Sequence, residues 1–485
     1  MFRPVQEQPL RGFESPDQAP AFVFPTDGLP MTTDPHVSLS AAQLEIWLAQ
    51  ALEPDSPVYT VGEVIHLPKS LDLDCFEQAL ARAVDETDAL HVRFSHSDRG
   101  PVQRVGVPSR WSLAKDPTPL RSDVDLAKKL EHELAVPIAI EGDCLARSLL
   151  LRFEDGHFAW CQLYHHIAMD GYARALFAKR VAETYSRLVS GRDPDPRHFG
   201  AFNELLVHDW DYRASTEAAD DRAYWRKELA GFDHGTTAAG YHPNRGGFRR
   251  QTEHLSPGLT ASLQTAAGTS GLSVATILCA VAAVISSCGR GSDDTVIGFV
   301  VSGRPDTVAR KTPGAVSNVV PLRLTVNLQA SWRELLAEIR QKIKTALQHQ
   351  RTRLEDIRRD LNLTGAGDEL TSIVVNVIPF FEHLQFGDDT AKLENLSNGP
   401  VDDYSVVAYP NGREPQLRID FNANGARRDD EDLNRFRRRF LQLLARLTSD
   451  LDSRVGSVDL LLEDERDLVL EGWNATAAPL PELLP

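Results

Sequence analysis

Hydrophobic positions along this chain alternate between helical and strand spacing, and the first ordered element announces itself at Ser40. Ser40 offers a side-chain cap and Gln43 stands three residues on, the two ends of a capping box. Leu44, Trp47, Leu48 and Ala51 follow at the i, i+3, i+4, i+7 spacing of one helix face, and Pro54 closes the segment. Leu145–Phe153 and His157–His165 read as two strands joined by Glu154-Asp155-Gly156, a short turn whose glycine supplies positive φ. Alternation puts Ala159, Cys161, Leu163 and His165 on one face of the second strand, and Phe158, Trp160, Gln162 and Tyr164 on the other. A helix is predicted over Tyr172–Leu188, with Leu176, Val181, Tyr185 and Leu188 as its stripe and Gly191 beyond its end.

The second half repeats the mixture. Residues 273–287 are almost wholly apolar, which predicts a helix buried on all sides. Thr295–Val301 reads as an apolar strand. Ser331 and Glu334 open another boxed helix bearing Trp332, Leu335, Leu336, Ile339, Ile343 and Leu347, and Thr371–Ile378 reads as a final strong strand. Near Asp432 a helix begins with Leu433, Phe436, Phe440 and Leu444 as its stripe. Its arginines Arg435, Arg437, Arg438 and Arg439 read first as a solvated face and second as a dock for an acidic partner. Helices and strands are interspersed throughout, so the class is α/β or α+β.

Composition bounds what such a chain can be. At 485 residues it exceeds one ordinary core, so two lobes are expected. Residues 1–36 hold seven prolines and little periodicity, an extended leader in which the Ala21–Phe24 tetrad is the one apolar segment able to dock. The longest mainly apolar run, Val274–Ile285, is too short for a bilayer, and no secretory signal pattern opens the chain; the expectation is a cytoplasmic protein with no membrane partner. Five scattered cysteines show no zinc or redox spacing and read as small buried hydrophobes, and no metal or nucleotide signature is present. A net charge of −17 argues against a nucleic-acid partner, because phosphate binding needs a basic footprint.

The chemistry concentrates in His165-His166-Ile167-Ala168-Met169-Asp170-Gly171. Strand alternation sends the two imidazoles to opposite sides, so one of them at most faces a given cleft. An aspartate before a helix can bond backbone amides or a distant cation, and glycine beside it admits a close neighbour.

This heptad resembles the HHxxxDG signature of the chloramphenicol acetyltransferase superfamily, and its flanks resemble condensation domains of non-ribosomal peptide synthetases. Leu39-Ser-Ala-Ala-Gln-Leu-Glu-Ile-Trp47 is similar to the family's opening motif. Asp88-Ala-Leu-His-Val-Arg-Phe94 is similar to its second, with His91 where arginine is common. Arg222-Ala-Tyr-Trp225 resembles the fourth, Gly298–Pro305 with Thr312–Leu322 the fifth and sixth, and His349-Gln350-Arg351 the seventh. Glu471–Pro479 resembles the linker into an adenylation domain. The short leader, the Ser372–Ile378 strand and Asn398-Gly-Pro-Val-Asp-Asp403 are closest to domains that start a synthesis by accepting an aryl or acyl group.

The resemblance implies two acetyltransferase-like lobes in a V, over 37–215 and 216–470, with 471–485 as linker. It implies attack by the amine of a thioester on an acceptor carrier protein upon the thioester of a donor on a separate carrier. An α-amine with a pKa near 8 is largely protonated at neutral pH, so a group must receive or orient its proton. His166 is the candidate base or positioner, with His165 supporting the loop and Gly171 lining the passage. Asp170, in the family, pairs with an arginine that Arg304 matches here; Asn376 and Ser317 are candidate substrate contacts, Asn376 reading first as an internally satisfied amide and Ser317 reading equally as a residue with no substrate role. The domain itself needs no cofactor, since phosphopantetheine arrives on the carriers. Epimerisation lacks its other motifs. Ester formation and a silent recruiting platform complete the alternatives.

Overall fold

The computed structural model describes residues 36–98, 100–233, 247–363, 370–379, 384–410 and 416–475, with backbone alone at 269 and 270. The leader with its Ala21–Phe24 tetrad and the last ten residues lie outside the described residues.

Two six-stranded sheets organise the chain. The predicted hairpin forms as Ala146–Arg152 and Phe158–His165, antiparallel, with Gly156 at φ +97° in the turn. Phe158–His165 pairs on its other side with Thr60–Leu67 along its whole length, and all eight of its residues are buried. A strand buried on both faces needs a layer on each. Phe158, Trp160 and Tyr164 pack under the helices Leu73–Glu86 and Gly171–Val189, while Ala159, Cys161 and Leu163 meet Leu126 and Leu130 of the helix Asp123–Ala135. The second sheet runs in the order Asn318–Thr325, Asp294–Val301, Ile373–Val377, Tyr404–Tyr409, Arg418–Asn424, Phe248–His254. Its core is closed by the mainly apolar helix Val274–Arg290 and by Trp332–Ala346 and Asp430–Ser449.

The strand expected over Thr371–Ile378 forms as Ile373–Val377 and is not the final one, because four more follow it among the described residues. Two of them, Leu384–Phe386 and Asp389–Ser397, return to the first sheet, where Asp389–Ser397 pairs antiparallel with Thr60–Leu67. The segment expected over 37–215 therefore does not complete its own sheet. Asp389–Ser397 has few apolar positions, which hid it from a periodicity reading.

The helix Ala41–Leu52 carries the capping box read from Ser40 and Gln43, but it is turned from the expected face. Ala42, Gln43, Ile46, Trp47 and Gln50 are buried and Leu48 and Ala51 are exposed. Gln43 goes inward because its amide meets Gln103, and Gln50 donates to three carbonyls that close the helix end. In the helix Gly171–Val189 the stripe shifts toward Ala173, Phe177, Ala178, Val181 and Tyr185, leaving Leu176 half-buried. The arginines of Asp430–Ser449 are already paired: Arg435 with Asp432, Arg437 with Glu253, Arg438 with Asp464 and Arg439 with Glu465. That takes from the basic run the free charge an acidic dock would use.

Phe386 tests the returning strand, since its ring is buried between Phe76 and Tyr185 of the first core. Phe386→Ala is expected to cost about 3–5 kcal/mol in urea unfolding. A loss below about 1 kcal/mol would show that the strand contributes little to that core.

Candidate active site

His165 is the last residue of its strand, and the chain then turns, with Ala168 N–H donating to His165 O at 3.0 Å. His166 leaves the strand by donating its N–H to Tyr59 O at 2.8 Å, so the turn that precedes the strand Thr60–Leu67 fixes its backbone. The two histidines have different fates. His165 is buried, accepts from Ile167 N–H at Nδ1 (3.1 Å) and lies near-parallel to the Tyr59 ring. Burial, with the adjacent His166, pushes its pKa down to about 3, so it stays neutral and supports the loop. His166 is half-buried, with Nδ1 enclosed beside the backbone of its own loop at His166 and Met169. Burial lowers its pKa from the ordinary value; Asp170 opposes the shift and Arg174 adds to it.

Asp170 is the junction of the site. Its Oδ1 caps the helix Gly171–Val189 by accepting from Ala173 N–H at 2.8 Å. Arg304 grips both carboxylate oxygens, Nη1 to Oδ2 at 2.6 Å and Nη2 to Oδ1 at 3.1 Å, with both side chains buried. Val316 and Ser317 donate backbone N–H groups to Oδ2 at 2.9 and 2.8 Å. Arg304 donates further to the carbonyls of Ser302, Ala309 and Gly314. One carboxylate thus ties the histidine loop to the segment 302–317 from the second half. Burial alone would raise the Asp170 pKa, but Arg304 and the amides of Ala173 and Ser317 hold it below the ordinary carboxylate value.

Among the other predicted residues, Gly171 begins the helix, and an added Cβ would stand 3.7 Å from Arg174 Nη2, ordinary contact. Ser317 is half-buried beside Asp170, held through its backbone, with its carbonyl accepting from Arg353 at 2.8 Å. Asn376 is half-buried on the second sheet, in register with Val407, on the face away from the Ile373 and Val375 core. No contact recorded among the described residues joins it to His166.

Sequence reasoning missed four neighbours. Glu63 and Arg174 form a buried ion pair at 2.6 Å, and Arg174 Nη2 donates to Asn398 Oδ1 at 3.1 Å. Gly399, next along, lies against the His166 ring. Glu63 carried a readable signal: alternation places it with Val61, Ile65 and Leu67 on a buried face, where a charge demands a partner. Gly399 lies in the segment 398–403 already noted for its resemblance, but nothing in it placed the glycine beside His166, because that neighbour is set only by the crossover between the sheets.

A two-lobed acyltransferase fold with an imidazole at the end of a central strand defines the class. A family model of the condensation domain matches residues 34–470, and the chain belongs to that family. It is 34% identical over 455 residues to a dimodular nonribosomal peptide synthase of Bacillus subtilis (strain 168), covering 93% of this chain but 19% of that protein. The starter condensation domain of rhizomide synthetase RzmA, solved as a substituted variant with C8-CoA, superposes with a TM-score of 0.81 at 35% identity, covering 88% of this chain and 98% of that one. The first condensation domain of the CDA synthetase superposes at 0.78 with 29% identity, covering 88% and 99%. The chain thus spans about a fifth of the synthase and nearly the whole of the solved domains. Condensation domains of this family are amide-forming acyltransferases of non-ribosomal peptide synthesis. Among the described residues no helix is long and apolar enough to cross a membrane.

Asp170→Asn keeps the shape but leaves Arg304 without its counter-charge, which is expected to cost about 3–5 kcal/mol at neutral pH. A depressed folded pKa contributes stability that is present above the unfolded value, near 3.9, and lost as pH falls through the folded one. Urea unfolding as a function of pH should show the gap between wild type and Asp170→Asn narrowing below about pH 4. A gap that is absent at neutral pH, or constant through acid, contradicts this account.

Proposed function

We propose that this domain joins a donor acyl thioester on one carrier protein to the amine of an aminoacyl thioester on another, with His166 at the reacting atoms. The observation that carries the reading is the half-buried His166 imidazole, on a residue whose backbone N–H is held by Tyr59 O and whose loop is locked at Asp170. With Nδ1 enclosed, Nε2 is the ring atom left to meet substrate. A proton on Nδ1 leaves the Nε2 lone pair free. The acceptor amine attacks the thioester carbonyl carbon, a C–N bond forms, and Nε2 takes or orients the amine proton. Collapse of the tetrahedral intermediate breaks the C–S bond, and the departing thiolate recovers a proton from Nε2.

Positioning contributes as much as proton transfer, because two tethered reactants meet at one ring. Asp170 and Arg304 act by structural support of the loop, and His165 holds the strand end. Gly171 leaves the start of the helix open for the acceptor arm, while Ser317 and Asn376 are substrate contacts. The phosphopantetheine arms arrive with the carriers as parts of the substrates, and an adenylation domain following in the synthetase would load the acceptor. Likeness to a starter domain solved with C8-CoA supports an acyl donor not yet part of a peptide.

Mass spectrometry of the domain mixed with loaded donor and acceptor carriers tests the reading. New amide is expected, and His166→Ala should slow single-turnover formation by about 10²–10⁴-fold. Because burial lowers the His166 pKa, the imidazole stays neutral below its ordinary value, so the acid limb of the rate profile should fall below about pH 6.5. Wild-type rates in His166→Ala would remove the assignment.

A further inference from the structure

The segment that leaves the first sheet at Ser397 and enters the second at Tyr404 passes directly against the His166 imidazole. A Cβ built on Gly399 would stand 2.9 Å from His166 Cδ2, 3.5 Å from Nε2 and 3.6 Å from Val61 Cγ1. Gly399 also has φ +96°, a conformation that side chains rarely adopt. Two independent constraints therefore keep this position bare, and the backbone itself forms a wall for the ring.

The wall is braced from both sheets. Gly399 N–H donates to Ser397 Oγ at 3.2 Å. Asn398 and Asn395 exchange amide hydrogen bonds, Nδ2 of Asn395 to Oδ1 of Asn398 at 2.9 Å and the reverse at 3.1 Å. Arg174, anchored on Glu63, donates to the same Asn398 Oδ1. From the second sheet, Arg250 donates to Asn395 O at 2.9 Å and to Asn422 Oδ1 at 2.8 Å. Asn395 stands in register with Glu63 on the first sheet and Asn422 with Arg250 on the second. The chain of amides thus spans the two sheets and ends at the imidazole.

We propose that Gly399, braced by the Asn395–Asn398 amide pair, is a positioning residue that holds the His166 ring with Nε2 toward the reacting amine. The inference deepens the reading of His166 as the reacting imidazole and rests on it. A methyl group at 399 must displace the ring or the backbone, since a 2.9 Å contact is shorter than side-chain carbons tolerate. Displacement on the order of 1 Å at a reacting group can cost about 10²-fold.

Charge gives a second handle. The groups facing His166 are Asp170, neutralised by Arg304, Arg174 from the following helix, paired with Glu63, and the neighbouring His165, which stays uncharged. Asn398→Asp keeps an oxygen for Arg174 but removes the Nδ2 donor to Asn395 and adds a negative charge one residue from the wall. It offsets the Arg174 charge, so protonated His166 gains favour and the acid limb of the rate profile moves to higher pH.

The test compares wild type, Gly399→Ala, Asn398→Asp and His166→Ala, with C8-CoA as donor and the N-acetylcysteamine thioester of leucine as acceptor. Thermal unfolding of each variant sets the folded fraction. Gly399→Ala is expected to lose about 10–100-fold in kcat with both KM values within about twofold of wild type. Asn398→Asp is expected to raise the acid limb by about half a pH unit or more. If His166→Ala is impaired while Gly399→Ala keeps wild-type kcat per folded molecule and Asn398→Asp leaves the limb in place, the positioning role is overturned and the reacting-imidazole reading stands. Undiminished rates in His166→Ala overturn that reading itself. Absence of amide from wild type with this pair overturns the acyl-donor assignment on which both rest.

Discussion

One buried carboxylate holds the working part of this molecule together. Asp170 caps a helix, receives a bidentate guanidinium from Arg304 and takes two backbone amides from Val316 and Ser317. Burying a charge is costly unless every oxygen is satisfied, and here each oxygen has at least two donors. The consequence is geometric. The loop bearing His166 comes from the first half, the segment bearing Arg304 and Ser317 from the second, and the desolvated pair gives them one low-energy arrangement.

The placement of His166 is set by three devices of different kinds. The turn ending at Tyr59 holds the backbone of His166 through Tyr59 O, the Asp170 junction holds the far end of its loop, and the Gly399 backbone faces the ring. Burial disfavours charge on His165 and His166 in a region crossed by two buried ion pairs, Asp170–Arg304 and Glu63–Arg174. Paired in this way, the charges give rigidity while largely cancelling at the ring. A neutral imidazole among locked dipoles is suited to accept a proton without reorganising its surroundings.

The returning strands give the two halves a shared construction. Asp389–Ser397 completes the first sheet and its continuation, through Gly399, enters the second. Phe386 packs into the first core, and Arg250 reaches from the second sheet to Asn395 on the first. Movement of one sheet against the other would therefore be felt at the crossover that touches His166.

Much of this was legible along the chain. The capping boxes at Ser40 and Ser331, the hairpin around Gly156, the mainly apolar helix from Val274 and the stripe beginning at Leu433 are local signals, set by spacing within a few residues, and they form where expected. The histidine loop was legible for the same reason, because a strand end, a tight bend and a capping aspartate are neighbours in sequence. Tertiary structure alone decided the rest. The face that Ala41–Leu52 buries depends on a Gln43–Gln103 contact sixty residues apart, and the membership of Asp389–Ser397 in the first sheet depends on an edge offered by Thr60–Leu67. The wall at Gly399 arises where chain segments more than two hundred residues apart are pressed together. Periodicity reports which side of an element is apolar; it carries no information on which distant backbone will lie against it, since that is settled by the packing of the whole chain.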